Sequence, residues 1–364
     1  MKREDLYLIK IIIVWFVFLI FYKNFLKLEN ETEIFRMKKY NSLNFSLIPV
    51  EEKNEDNVVF HHSHSEILKY PPNLKKYPLI KNAKSISITL NAGEALYIPA
   101  FWWHWVRSEK RCFAVSNICE IHPISNYSQL CKAKSLFLKS EEMNKKENGD
   151  ENYRILSKKI NEKGTQIYEN YDFSKHELRE INENDLSSEL FTQSVINSVP
   201  VKISMNKYFL TDKNLVERLT KKNLNVLVST NNTITNLEKP NWENSNGVKP
   251  GVKIINCNYL NYLKLTKDPI IYAYVGMSPV NPNQIDYNIP DFWEKTFENK
   301  LKMTSMWISH KNIETGLHYD NSDNLLHVVS GKKNIILFPP SETKLLYKKV
   351  MKKHNGKMLF NDFK

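Results

Sequence analysis

Cysteine is scarce in this chain, with four among 364 residues. Cys112, Cys119, Cys131 and Cys257 form no CxxC pair and follow no regular spacing. That argues against a cysteine-based zinc site and a disulfide framework, and leaves reduced thiols. A basic stripe is also missing. The formal charge is +12, but the lysines are spread along the whole length, so nucleic acid is not indicated beyond net charge. No internal repeat is evident, and the two β segments share no motif copied from one to the other. Matches to the N-glycosylation pattern begin at Asn30, Asn44, Asn126 and Asn231, and in so asparagine-rich a chain they do not fix a compartment.

The one long apolar run lies at 6–22, LYLIKIIIVWFVFLIFY, interrupted only by Lys10. Its part from Ile11 to Tyr22 is apolar on every face, and the run is close to the shortest length that spans a bilayer. No small-residue cleavage pattern follows, so residues 1–27 read as a retained membrane anchor rather than a removed signal peptide. Lys23, Lys27, Arg36, Lys38 and Lys39 outnumber the positive charges before the run, which places the remainder in the cytoplasm.

Beyond the anchor, residues 40–125 and 191–364 have β character, and 126–190, rich in Lys, Glu and Asn, reads as a charged helical linker. Ile86, Ile88 and Leu90 alternate on one strand face. Asn91-Ala92-Gly93 turns that strand into Glu94–Pro99, and 111–121 forms another. In the second segment Leu325–Val329, Ser330-Gly331 and Asn334–Phe338 read as a hairpin with glycine at its turn. A strand at 199–203, strand character at 270–275 and a short aromatic helix at 291–299 complete the pattern.

His318-Tyr319-Asp320 carries the first chemical signal, because residues two apart on a strand share a face and can grip one metal ion. With one more histidine they would make the two-histidine, one-carboxylate facial triad of non-haem iron oxygenases. The stretch from Thr315 through His318, Asp320, Asn324, Gly331 and Lys333 to Pro340 resembles the Jumonji C and cupin-like hydroxylases, and most of all the asparaginyl hydroxylase that inhibits hypoxia-inducible factor. The family pattern T-x-x-H-x-D, an Asn, G-x-K and L-F-P-P is present at matching spacing. A second stretch, Gly93 to Ser108 with Trp102-Trp103-His104, resembles the family's other metal motif.

That resemblance implies His318, Asp320 and His104 as ligands of Fe(II). It also implies 2-oxoglutarate as cosubstrate, with Lys333 and Thr315 holding its far carboxylate, and Asn324 and Asn117 near it. Tyr272 and Tyr274 are looser candidates for the same pocket. His64-Ser65-Glu66 is a weaker HxE rival for the metal pair.

The implied fold is mainly β with helical additions, a double-stranded β-helix, or jelly roll. The implied activity is that of a 2-oxoglutarate-dependent dioxygenase hydroxylating a protein side chain and yielding succinate and CO2. The alternative is a membrane-tethered, non-catalytic binding or structural protein on a degenerate jelly roll. In the family the HxD precedes the WWH histidine, whereas here His104 comes first. Three arrangements account for this: a circularly permuted domain, two incomplete domains, or a homodimer in which each chain completes the other's site. The complementary halves favour permutation.

Overall fold

The computed structural model describes residues 57–63, 72–125, 128, 177–205, 217–220, 222–230, 232, 252–298, 300–354 and 357–361. The apolar run at 6–22, the His64/Glu66 pair, Cys131 and most of the charged linker lie outside these residues. Among the described residues no helix is long and apolar enough to cross a membrane. Residues 46–127 and 173–364 form one compact unit, which contains both motif-bearing segments.

The first motif segment contains β1 (Asn57–Ser63), β2 (Ile86–Asn91), β3 (Glu94–Ile98), β4 (Trp103–Ser108) and β5 (Cys112–Glu120). Then come β6 (Arg179–Asn182), β7 (Val201–Ser204), β8 (Leu224–Ser229), β9 (Val252–Cys257) and β10 (Tyr272–Pro279). The last are β11 (Leu301–Ser309), β12 (Glu314–His318), β13 (Ser322–Ser330), β14 (Lys332–Phe338), β15 (Lys348–His354) and β16 (Lys357–Asn361). Among the described residues, the α-helices seen over their full length are α1 (Ser188–Asn197), α2 (Tyr259–Leu265) and α3 (Asp291–Phe297). A seven-stranded sheet runs β16-β15-β1-β12-β4-β14-β2, and a nine-stranded sheet β6-β7-β3-β13-β5-β11-β10-β8-β9.

The two segments interleave strand by strand. In the smaller sheet β4 is hydrogen-bonded between β12 and β14. In the larger, β5 lies between β13 and β11. The alternation seen in β2 is real, with Ile88 and Leu90 buried and their neighbours exposed, because only one face of this edge strand is covered.

The expected hairpin across Ser330-Gly331 is not one. β13 pairs with β3 and β5, whereas β14 pairs with β2 and β4, so the chain crosses from one sheet to the other at this point. Gly331 (φ 86°) makes the corner, and a Cβ there would lie 2.3 Å from the Arg111 carbonyl oxygen and 2.7 Å from Cys112 Cα. A local glycine signal marks the turn, but which strands pair is decided by distant partners. The linker boundary also shifts, since β6 falls inside 126–190 and pairs in parallel with β7.

Two apolar clusters cover one face of the larger sheet. One joins Phe113, Val115, Met306 and Ile308 to Tyr259 and Tyr262 of α2. The other packs Phe191 and Val195 of α1 and Phe292, Trp293 and Phe297 of α3 on Val201, Ile203 and Leu325. Helix α1 starts where the Ser187 hydroxyl accepts from Leu190 N–H, and stops at Ser198, whose left-handed φ of 53° ends the turn. Each large side chain buried this way contributes roughly 1.5–3 kcal/mol. The opposite face of the sheet is left for the site.

Candidate active site

Directly opposed residues on antiparallel strands project to the same face. Along β4, His104 opposes His318 and Leu337, Val106 opposes Thr315 and Ile335, and Ser108 opposes Lys333. This face looks across to the larger sheet, because Ser108 Oγ lies 2.6 Å from Ser309 Oγ of β11. Thr315 and His318 are three apart and on a regular strand would point opposite ways. A register shift between them inserts one residue into β12 opposite β4, so both turn inward.

His104, His318 and Asp320 each bring one ligand atom into a group whose atoms all lie within 4.8 Å of one another. The imidazole centroids are 4.1 Å apart, and His104 Nε2 is 3.7 Å from Asp320 Oδ2. His104 Nδ1 lies 3.0 Å from the Trp102 carbonyl oxygen and His318 Nδ1 2.6 Å from that of Gly316. A carbonyl only accepts, so each Nδ1 carries the proton and each Nε2 keeps its lone pair for a metal. Burial, with the neighbouring His318 charge, pulls the His104 pKa down to about 4, against the raising effects of Asp320 and the Trp102 bond. It is neutral at pH 7. Two imidazoles and a carboxylate are the donor set that suits Fe(II) with open positions.

The tryptophans before His104 are fasteners. Trp102 Nε1 donates to the Ser198 carbonyl at the end of α1, and Trp103 Nε1 donates to the Thr343 hydroxyl, both at 2.9 Å. Trp103 also meets Tyr319 edge-on, with centroids 4.8 Å apart. Phe101, just before the tryptophans, has φ 68°, a left-handed conformation costly for a non-glycine residue. Its N–H donates to the Asp320 carbonyl at 2.7 Å.

Next to it, the Asp323 carboxylate accepts from Ala100 N–H at 3.1 Å, Tyr97 Oη at 2.9 Å and His122 N–H at 2.9 Å. Burial pushes its pKa up to about 6, and these three bonds hold it from going higher. Asp323 thus ties the Asp320 loop to the turn that carries His104. Sequence reasoning missed it, although a carboxylate directly before Asn324 in a buried strand was a signal.

At the other end of β4, Lys333 is buried, and its Nζ donates to Ser108 Oγ at 3.1 Å and Ser309 Oγ at 3.5 Å. Among the described residues it has no ion-pair partner. Tyr274 lies on the facing strand close enough to Thr315 to feel its hydroxyl, and burial raises its pKa. Tyr274 also approaches Trp307 at 6.3 Å, and Trp307 Nε1 donates to Ser116, so this inner face includes Ser116. Asn324 opposes Ile118, two residues along the same face, and its Oδ1 is buried with no hydrogen-bond partner among the described residues.

Asn117 falls on the wrong face for the expected role. Its Nδ2 donates to Tyr287 Oη at 2.8 Å and its Oδ1 accepts from Thr304 Oγ1 at 3.1 Å, within the apolar cluster under α2. The neighbouring Ser116 is the residue that faces inward. Strand phase, which a one-residue shift inverts, is the reason.

The family model described as a cupin-like domain matches residues 24–121 and 132–361. A putative JmjC domain-containing protein of Acanthamoeba polyphaga mimivirus is 24% identical over 277 residues, covering 74% of this chain and 36% of that protein. JmjC domain-containing protein D of Dictyostelium discoideum is 48% identical over 44 residues, 12% of this chain and 10% of its own length. The bifunctional peptidase and (3S)-lysyl hydroxylase of Homo sapiens is 42% identical over 45 residues, 12% of this chain and 14% of that protein. The chain therefore spans about a third or less of the length of these relatives. No solved structure matches. With well over half of its length matched by the family model, the chain belongs to the cupin-like domain family.

Proposed function

We propose that the protein is an Fe(II)- and 2-oxoglutarate-dependent oxygenase that hydroxylates a protein side chain, on a jelly roll circularly permuted relative to the asparaginyl hydroxylase it resembles. The observation that carries this reading is the convergence of His104 with His318 and Asp320, side chains from opposite ends of the chain, on one point. Permutation is supported by the hydrogen bonding of β4 between β12 and β14. A JmjC relative whose name states lysyl hydroxylase activity supports the reaction class. The anchor at 1–27, with a cytoplasmic catalytic part, belongs to the same proposal.

His104, His318 and Asp320 would hold the iron, which when bound supplies oxygen activation coupled to decarboxylation of 2-oxoglutarate to succinate and CO2. The histidines contribute Nε2 atoms, with each ring held by its Nδ1 bond to a backbone carbonyl. Lys333 supplies the positive charge for the far carboxylate, and Thr315 with Tyr274 supplies hydroxyls beside it. The buried Ile335 and Leu337 lie on this face of the smaller sheet between the two ends and exclude water, with the half-buried Val106 beside them. The Asp320 side chain is 42% exposed, so a substrate side chain approaches from that end.

The test is an anaerobic titration of Fe(II) and 2-oxoglutarate into the protein, followed by the metal-to-ligand charge-transfer absorbance. His104→Ala and His318→Ala are run beside wild type. A band in wild type that both substitutions abolish supports one shared iron. Its absence from wild type sinks the oxygenase reading in favour of a binding or structural protein.

A further inference from the structure

We infer that Asp323 is a positioning residue for the metal: its buried carboxylate clamps the turn leading to His104 against the loop that carries Asp320, and so fixes the distance between those two ligands. The inference rests on the reading above, from which it takes His104, His318 and Asp320 as the ligand set.

Asp323 does not reach the metal itself. On β13 it opposes Cys119 of β5, and Cys119 belongs with Tyr97 to the apolar cluster under α1 and α3. Asn324, one step further along, faces the pocket, so Asp323 faces away from it. The carboxylate is 1% exposed, and no cation lies against it among the described residues. A well-packed apolar side chain would serve the cluster at lower cost, so packing does not explain a charge here.

What the carboxylate does hold is the turn between β3 and β4. Two successive amides of that turn reach the other segment of the chain. Ala100 N–H donates to Asp323 Oδ1 at 3.1 Å, and Phe101 N–H donates to the carbonyl oxygen of the ligand Asp320 at 2.7 Å. The left-handed φ of Phe101 is strained, and such strain persists only where the surroundings restrain it. Released, the turn relaxes toward negative φ, and His104, three residues on, moves with it relative to Asp320.

The clamp is itself held from both sides. Tyr97, whose hydroxyl donates to Oδ1, lies on β3, and His122, whose N–H donates to Oδ2, follows the end of β5. These are the two strands that flank β13, so the carboxylate cannot swing with the turn. The separation it sets is that of His104 Nε2 from Asp320 Oδ2, 3.7 Å.

The experiment measures Mn(II) affinity by calorimetry, and water-proton relaxation at saturating Mn(II), for wild type, Asp323→Asn and Tyr97→Phe. Asp323→Asn keeps the shape, removes the charge and sets an NH2 group against the His122 N–H or the Ala100 N–H. It should weaken Mn(II) about tenfold or more, the loss typical when a group that orients a metal ligand is removed. Relaxation per bound ion should rise, because water takes the place of a displaced ligand. Tyr97→Phe leaves the charge and the Ala100 bond in place, so it should bind Mn(II) within about twofold of wild type, since a less stable but still folded protein keeps its affinity.

An Asp323→Asn variant that binds Mn(II) as tightly as wild type overturns the inference. So do equal losses in Asp323→Asn and Tyr97→Phe, which would mean a general loosening. If Asp323→Asn does not fold, hydrogen exchange in wild type decides. A metal supported by the clamp must in turn support it, so Zn(II) should slow exchange at the Ala100 and His122 amides, and unchanged exchange there overturns the inference. A wild type that binds no Mn(II) fails the metal reading itself, whereas wild-type binding with an unaffected Asp323→Asn removes the clamp alone.

Discussion

Replacing Tyr97 by Phe removes one hydroxyl, 2.9 Å from Asp323 Oδ1, and leaves the ring to pack edge-on against Phe191. The cost should depend on pH in a defined sense. Asp323 has its pKa raised from 3.8 to about 6 in the folded protein, chiefly by burial. Between those values the folded state holds a proton that the unfolded state has lost, so this group's contribution to stability falls as pH rises, then levels off above pH 6. At about 1.4 kcal/mol per unit, the ionised carboxylate leaves the fold about 3 kcal/mol less stable above that window than below it.

Tyr97 is one of three donors that limit this cost. Its loss should destabilise by about 2–3 kcal/mol at pH 8, where the bond goes to a charge, and by about 1 kcal/mol at pH 4.5, where it goes to a neutral acid. Urea unfolding of wild type and variant at both pH values gives the double difference, in which every other titrating group cancels to first order. Equal destabilisation at the two pH values would refute the assignment of Asp323 as a buried, hydroxyl-supported carboxylate.

Gly331→Ala should cost about 3 kcal/mol or more, since the left-handed φ adds at least about 1 kcal/mol to a backbone collision; a loss below about 1 kcal/mol in chemical denaturation would contradict the corner geometry. Lys333→Met should leave the ligand-free protein as stable as wild type or more so, because a buried ammonium without a countercharge is removed. In that variant 2-oxoglutarate should no longer raise the melting temperature, and a retained rise would show that the lysine is not the anchor. Trp103→Phe keeps an aromatic ring against Tyr319 but loses the bond to Thr343, and should cost about 1–2 kcal/mol in urea unfolding with weaker metal affinity; unchanged metal affinity would separate the tryptophan from the placement of His104.

The grouping of His104, His318 and Asp320 was legible because metal chemistry restricts residue type, and the short motifs around His104 and His318 carry that restriction locally. What was not legible depends on partners far along the chain. Thr315 and His318 face the same way only because β12 takes one extra residue against β4, a fact of pairing rather than of either strand's own pattern. Asn117 and Ser116 differ by one step of strand phase, and only the covering residues, Tyr287 on one side and Trp307 on the other, decide which faces the pocket. The glycine at 331 was seen, but its corner was taken for a hairpin because nothing local says which sheet each arm joins. Ser309 and Asp323 carry no motif, and their roles exist only once the two sheets are closed over each other.

The interleaving of the two segments has a consequence for how the protein is made. β4 and β5 are synthesised about two hundred residues before the strands that flank them. At about 5–20 residues per second, they wait roughly 10–40 s for those partners. During that interval their unpaired backbone edges and the apolar side chains beside them are open to wrong neighbours. His104 leaves the ribosome long before His318 and Asp320, so a metal ion that needs all three side chains could be held only after the last strands are made.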